Sequence, residues 1–210
     1  VIGCMTPLRD LELHEGLHAY THGAMKESLR HIVGVQFRNC ATVGGSIWGR
    51  FGFSDVLTMF LALDTEVELF KGGRVCLWDF VKMPKDRDIL VHIIVKKTPI
   101  KTAYLSQRNT KTDFPVLACC VSLSEDGMKA VYGARPSKAF LLEDEENILK
   151  DAQTRSEEEK KAAHEKFADY AARKVPTSGN MRGSAKYRTL LVKVLTRRAL
   201  EAVGGMSDEN

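Results

Sequence analysis

A proline-containing break, Lys96-Lys97-Thr98-Pro99-Ile100-Lys101, divides this chain into two stretches of different hydrophobic patterning. Proline lacks a backbone donor and pushes the residue before it out of the helical region, so neither a helix nor a central strand runs through the break. Helix-like and strand-like patterns are mixed before it. Strand-like runs and then helix-like runs follow it. That order predicts an α+β chain, with one unit over residues 1–97 and a second over 98–210.

In the first unit, Leu11 to His31 leans helical, with Ala24, Met25, Leu29 and Ile32 on one apolar stripe that ends near Gly34. Gln36 to Ser46 reads as a polar, glycine-rich segment, and Val56 to Leu63 resumes a helix-compatible apolar pattern. Glu66 to Leu69, a Lys71-Gly72-Gly73-Arg74 turn and Val75 to Leu77 form a β-hairpin signature. Ile89 to Val95 is a nearly continuous β-branched run, the mark of a buried strand.

Three strands are expected in the second unit: Thr102 to Asn109, Val116 to Leu123 and Met128 to Tyr132, the last two joined by a Glu125-Asp126-Gly127 turn. Acidic Glu143 to Asn147 suits a helix N-terminus. A charged helix is expected over Glu157 to Arg173, then a final helix capped by Ser184, with Tyr187, Leu190, Leu191, Val194, Leu195 and Ala199 on its apolar face and Gly204-Gly205 at its end.

Composition excludes several classes. With 210 residues, 44% apolar and 28% charged, the chain is neither collagen-like nor wholly disordered. Its longest apolar stretch, Val56 to Leu63, is far short of the roughly 18–20 residues that span a bilayer. The first ten residues lack the basic start and long apolar run of a signal peptide. A net charge of +4, spread along the chain, does not indicate nucleic acid. Five cysteines without CxxC spacing predict reduced thiols in a cytoplasmic protein, not disulfides or cluster ligands. In a strand, adjacent Cys119 and Cys120 point to opposite faces.

Four constellations bear on chemistry. His14-Glu15-Gly16-Leu17-His18 fits H-E-x-x-H, a zinc pattern in which Glu15 would be general base. Gly16 weakens the helix that this needs, and His22 does not fall at the spacing of a third ligand, so no metal is expected. Thr42-Val43-Gly44-Gly45-Ser46 allows backbone amides to approach a phosphate as an anion nest, although an ordinary turn has the same composition. Asp55 follows, where Ser54-Asp55 also reads as a helix cap. Tyr104 to Phe114 brings together an aromatic, Arg108, Asn109 and Asp113 in a strand leading into a polar turn, and Arg197-Arg198 places cations near a helix C-terminus.

On these residues the chain resembles a known family. Phe37-Arg38-Asn39, then Ala41-Thr42-Val43-Gly44-Gly45, then Asp55, then Leu61-Ala62-Leu63-Asp64 and Val67, is similar to the FAD-binding medium subunit of molybdenum hydroxylases such as xanthine dehydrogenase, carbon monoxide dehydrogenase and nicotinate dehydrogenase. Tyr104 to Pro115 resembles the start of that family's C-terminal domain, and Ser184 to Leu200 resembles its close. The resemblance implies part of a FAD-binding α/β domain over residues 1–97, followed over 98–210 by an antiparallel three-stranded sheet with a helical bundle.

It also implies roles. Thr42, Val43, Gly44, Gly45 and Ser46 would form a pyrophosphate loop, Asp55 would hydrogen-bond the cofactor, Leu90 would lie beside the flavin and Ile32 would pack against it. No side chain would be a catalytic acid, base or nucleophile. Leu105 and Ser106 stand where many members have a cofactor-contacting lysine, and Ser46 replaces the usual Asn or Asp. The family's first Gly-Gly loop would precede Ile2-Gly3-Cys4, so the FAD site is expected to be incomplete in this chain by truncation. The implied function is electron transfer within a hetero-oligomer. Electrons would come from two-iron–two-sulfur clusters on a small subunit, pass through FAD and go on to NAD or another acceptor, with molybdopterin on a large subunit and no iron–sulfur cluster here. The other readings are a non-catalytic assembly subunit that has lost FAD, and a zinc peptidase.

Overall fold

In a computed structural model, residues 1–125, 127–150 and 155–205 are described. Two four-stranded antiparallel sheets share no strand. The first has the order β1 (Ile2–Gly3), β4 (Leu90–Val95), β2 (Thr65–Leu69), β3 (Gly73–Cys76). β2 and β3 form the hairpin, with Leu69 opposite Gly73. Gly73 has φ +67°, a conformation that a side chain resists. β4 is central, although only Leu90 and Ile93 of it are fully buried.

The second sheet is a meander of β5 (Ile100–Gln107), β6 (Leu117–Ser124), β7 (Gly127–Gly133) and β8 (Phe140–Glu143). Sequence patterning predicts three strands, and β8 is the fourth. Four residues, two half-buried, one buried and one exposed, without clear alternation carry little signal, and β8 forms because Phe140 to Glu143 pair with Tyr132 to Lys129. The acidic segment after it starts no helix. The Asp144 carboxylate instead accepts the N–H groups of Ile148 and Leu149, at 2.9 and 2.6 Å, and so closes a turn. Asp126, in the expected β6–β7 turn, lies outside the described residues.

The helix-leaning opening is three short helices, α1 (Leu8–Leu13), α2 (Glu15–Tyr20) and α3 (Ala24–Leu29). His14 is extended between the first two, while His22 and Gly23 adopt left-handed φ values of +47° and +82°. The polar segment expected over Gln36 to Ser46 is also helical, as α4 (Val35–Cys40) and α5 (Val43–Trp48). Thr42 starts α5 by accepting the Gly45 N–H on its hydroxyl. Gly44 then sits against the first strand's continuation, where a Cβ would lie 2.6 Å from the Cys4 carbonyl oxygen. α6 (Asp55–Ala62) is wholly buried, and α7 (Leu77–Phe80) follows β3.

Two helices, α8 (Glu157–Lys174) and α9 (Ala185–Gly204), stand where a bundle is expected. α9 covers one face of the second sheet with α8 packed against it, and α3 and α6 cover the other. Cys120 meets Met59 of α6, while Cys119 belongs to the core under α9, as strand alternation requires. The buried face of α9 is rotated from the expected stripe. Tyr187 and Leu190 are 39% and 56% exposed, and Arg188, Leu191, Val192, Leu195, Thr196 and Ala199 face inward. The guanidinium of Arg188 donates to the carbonyls of Val116, Ser178 and Gly183 and to Asn180 Oδ1, which satisfies a buried cation through neutral acceptors.

Candidate functional site

A crevice of about 480 Å³ opens where the α3–α4 turn, the start of α5, the start of α6 and the loop after β5 converge. Its walls include Ile32, Thr42, Gly45, Ser46 and Asp55. Three other residues expected at the cofactor lie elsewhere. Val43 and Gly44 turn into the core on the far side of α5. Leu90 is buried in the first sheet opposite Leu69 and is absent from the crevice lining. Helical periodicity separates residues 43 and 44 from 42, 45 and 46, and this was hidden because the segment reads as a loop.

The backbone also departs from the expected anion nest. The N–H groups of Val43, Gly44, Gly45 and Ser46 donate to Thr6 O, Cys4 O, Thr42 Oγ1 and Thr42 O, at 2.9, 2.8, 3.1 and 3.2 Å. A helix turn and the segment after β1 occupy all four. Polar groups offered to a ligand here are therefore side chains. Thr42 Oγ1 accepts from Gly45 and keeps its own proton.

Crevice residues that carried no site role in the sequence reading include His31, Val33, Phe51 and Phe53, and Phe37, part of the family motif, also lines it. Phe51 and Phe53 stack with centroids 5.2 Å apart, and Phe53 meets Phe114 edge-on at 4.6 Å. Phe37, Phe51, Phe53 and Phe114 are each 42–52% exposed, which is unusual for so many phenyl rings in one place. The signal available was a density of aromatics around the glycine-rich segment. Burial, Arg30, Arg108 and Lys111 lower the pKa of His31 against the pull of Glu27, and its Nδ1 is buried without a partner among the described residues.

Below these rings lies a buried charge cluster. Asp55 Oδ1 accepts from the Arg108 guanidinium and from the Tyr104 hydroxyl, both at 2.5 Å. Arg108 also donates to Ser106 Oγ and to the Asp113 carbonyl. Burial pushes the Asp55 carboxyl up, against the pull of Arg108 and Tyr104, and burial beside that carboxylate pushes the Tyr104 phenol well up. Thus Asp55 caps nothing with its side chain. Ser54 Oγ takes the Leu57 N–H as the α6 cap, and Asp55 ties the first unit to β5.

Among the described residues no group of three or more His, Cys, Asp or Glu is placed to hold a metal ion. His14 Nδ1 accepts the Leu17 N–H as the cap of α2, and His22 Nε2 is 3.1 Å from the Ile100 carbonyl oxygen. Arg197 pairs with Glu165 and Glu201 at the surface. A larger cavity of about 650 Å³, lined by Met128, Asp144, His164 and Val203, opens at the far end of the second sheet, away from every residue of the expected site.

The crevice is lined by phenyl rings together with hydroxyls, an imidazole and a charge cluster, a combination that suits a planar aromatic group with a polar extension. Its walls come from both halves of the chain, from the helices of the first half and from the loop after β5. Residues 1–98 match the family described as FAD binding domain in molybdopterin dehydrogenase, and residues 102–203 match the CO dehydrogenase flavoprotein C-terminal domain. The chain belongs to the family of FAD-binding medium subunits of molybdenum hydroxylases.

Among relatives, the uncharacterized protein YgfM of Escherichia coli K12 is 30% identical over 149 residues, which are 69% of this chain and 54% of that protein. The chain thus aligns with only about half the length of that relative. The glyceraldehyde dehydrogenase medium chain of Sulfolobus acidocaldarius is 26% identical over 220 residues, 96% of this chain and 75% of that protein. Reconstituted CO dehydrogenase from Oligotropha carboxidovorans superposes with a TM-score of 0.78 at 21% identity, covering 97% of this chain and 74% of that one. Quinoline 2-oxidoreductase from Pseudomonas putida 86 gives 0.78 at 18% identity, covering 96% and 74%. No helix among the described residues is long and apolar enough to cross a membrane.

Proposed function

We propose that this chain carries FAD in a xanthine dehydrogenase-like molybdenum hydroxylase of the cytoplasm, receiving electrons from two-iron–two-sulfur clusters on a small subunit and delivering them to NAD or another acceptor. Hydroxylation would take place at a molybdopterin on a large subunit, and residues 1–97 and 98–210 would be the two domains of the medium subunit. The observation that carries the reading is the crevice, which gathers Ile32, Thr42, Gly45, Ser46 and Asp55 beside an exposed aromatic wall.

Ile32, Phe37, Phe51, Phe53 and Phe114 would hold the ring systems of FAD and exclude water from them. Thr42 and Ser46 would offer hydroxyls to its polar chain. The Asp55–Arg108 pair keeps the crevice floor close to neutral while leaving an oriented dipole beside it. The flavin supplies the redox chemistry, and this chain supplies binding, orientation and a fixed electrostatic environment.

FAD content and affinity of the protein purified with its partner subunits test the reading, followed by visible absorption and quenching of flavin fluorescence. The intact protein should hold FAD. Gly45→Val should lose most of it while the C-terminal unit stays folded, because a Cβ at Gly45 meets only Thr42 Oγ1, at 3.3 Å, and the added bulk enters the crevice. An intact protein without FAD, or a Gly45→Val protein with full FAD, would remove the assignment.

A further inference from the structure

The α3–α4 turn that walls the crevice is held in a conformation its own sequence resists. Val33 has φ +48°, in the left-handed region that a β-branched residue rarely adopts. Such conformations persist where surrounding contacts over-determine them, and they concentrate at ligand sites. Val33 is 49% exposed and lines the crevice with His31 and Ile32, so its side chain's own packing does not explain the strain.

The restraint comes from behind. Arg38, 4% exposed, donates from NH1 to the carbonyls of Ile32 and Val33, at 2.9 and 3.3 Å. Its other two nitrogens grip the Glu12 carboxylate of α1, Nε to Oε2 at 2.7 Å and NH2 to Oε1 at 3.3 Å. Glu12 is itself buried and is also paired with Arg9 at 2.9 Å. One guanidinium thus spans two successive carbonyls of the strained turn and an anchored carboxylate. Lysine, a point charge without the fork, cannot make all these bonds.

We propose that Arg38, anchored by Glu12, is a positioning residue that holds the Ile32–Val33 turn in its ligand-ready shape, and so sets the affinity of the crevice for FAD. This rests on the reading of the crevice as the FAD site. The guanidinium touches no ligand; it acts through the turn. Without it Val33 relaxes toward negative φ, the wall formed by His31, Ile32 and Val33 shifts, and only a fraction of molecules presents the competent crevice. The apparent dissociation constant then rises by the inverse of that fraction.

Amide hydrogen exchange and FAD titration test this on the intact protein and on Arg38→Lys, Val33→Gly and the double variant. In Arg38→Lys without FAD, exchange over residues 32–35 should accelerate while β5 to β7 keep their protection. FAD affinity of that variant should fall roughly tenfold, the scale of a strained backbone released. Glycine occupies the left-handed region freely, so adding Val33→Gly should restore much of the affinity. If Arg38 merely packs α4 against α1, a change at Val33 rescues nothing, and the proposal fails. Unchanged exchange over 32–35 in Arg38→Lys also overturns it, whether or not the protein binds FAD. Accelerated exchange in an intact protein that binds no FAD would sink the cofactor reading, and with it the claim on affinity, but would leave Arg38 as the clamp of the turn.

Discussion

The two glycines at 44 and 45 are neighbours with different jobs. Gly44 is glycine because α5 crosses Cys4 so closely that a Cβ would stand 2.6 Å from its carbonyl oxygen and 2.7 Å from its Cβ. Both neighbours are close to backbone and cannot swing aside. Gly45 is exposed, with only Thr42 Oγ1 within reach of a Cβ. Gly44→Ala should therefore cost about 1–3 kcal/mol of stability by overpacking. Gly45→Ala should be neutral, or slightly stabilising through helix propensity. Urea denaturation of both variants measures the difference, and equal stability would show that the crossing is looser than described. The order Gly-Gly is visible in sequence, but which glycine serves packing and which faces the crevice depends on helical phase.

At the scale of elements, local rules account for the long helices better than for the short ones. α8 begins with a full capping box: Ser156 Oγ accepts the Glu159 N–H, and the Glu159 carboxylate accepts the Ser156 N–H. Three glutamates in its first turn and Arg173 and Lys174 in its last match the helix dipole. Ser156→Ala should lower stability by about 1 kcal/mol, read as a shifted thermal midpoint, and faster amide exchange should be confined to the first turn of α8. Exchange unchanged there would mean that the cap does not hold that end. By contrast α1 to α5 are six residues each, too short to form alone, and they persist through packing: α1 on α3 and α4, α2 on α3, α3 on α6 and β5, and α5 on α6 and β4. This is why the opening reads as one helix and Gln36 to Ser46 as none. β8 escapes notice for the same reason, because its identity lies in its pairing with β7.

Across the whole molecule, the two halves share one core. Tyr104, Ala118, Cys120 and Val131 of the second sheet share a core with Met25, Met59 and Phe60 of the first half. The Asp55–Arg108 pair crosses the same junction, with side chains 6% and 7% exposed. Removing one member leaves a buried charge alone, so Arg108→Met should cost about 3–5 kcal/mol, and Asp55→Asn with Arg108→Met should cost less than the two single changes summed. Both tryptophans, Trp48 and Trp78, lie in the first half. Their fluorescence transition in urea should coincide with loss of amide protection in β6 and β7, and separate transitions would show that the junction does not couple the halves.

The sequence by itself determined the α+β class, the hairpin at Gly73, the strands β5 to β7, the two long helices with the Ser184 cap of α9 and, by resemblance, the family. Each of these rests on periodicity, turn chemistry or local motifs that act within a few residues. Tertiary structure decided the rest. It turned Gly44 and Leu90 away from the crevice, satisfied the amides of residues 43–46 inside the chain, and took the Asp55 carboxylate for Arg108, 53 residues away. It also paired Arg38 with Glu12 across 26 residues. Buried charges and backbone donors must find partners wherever the chain brings them. No local pattern names a partner that far off, and only the packed chain determines which groups meet.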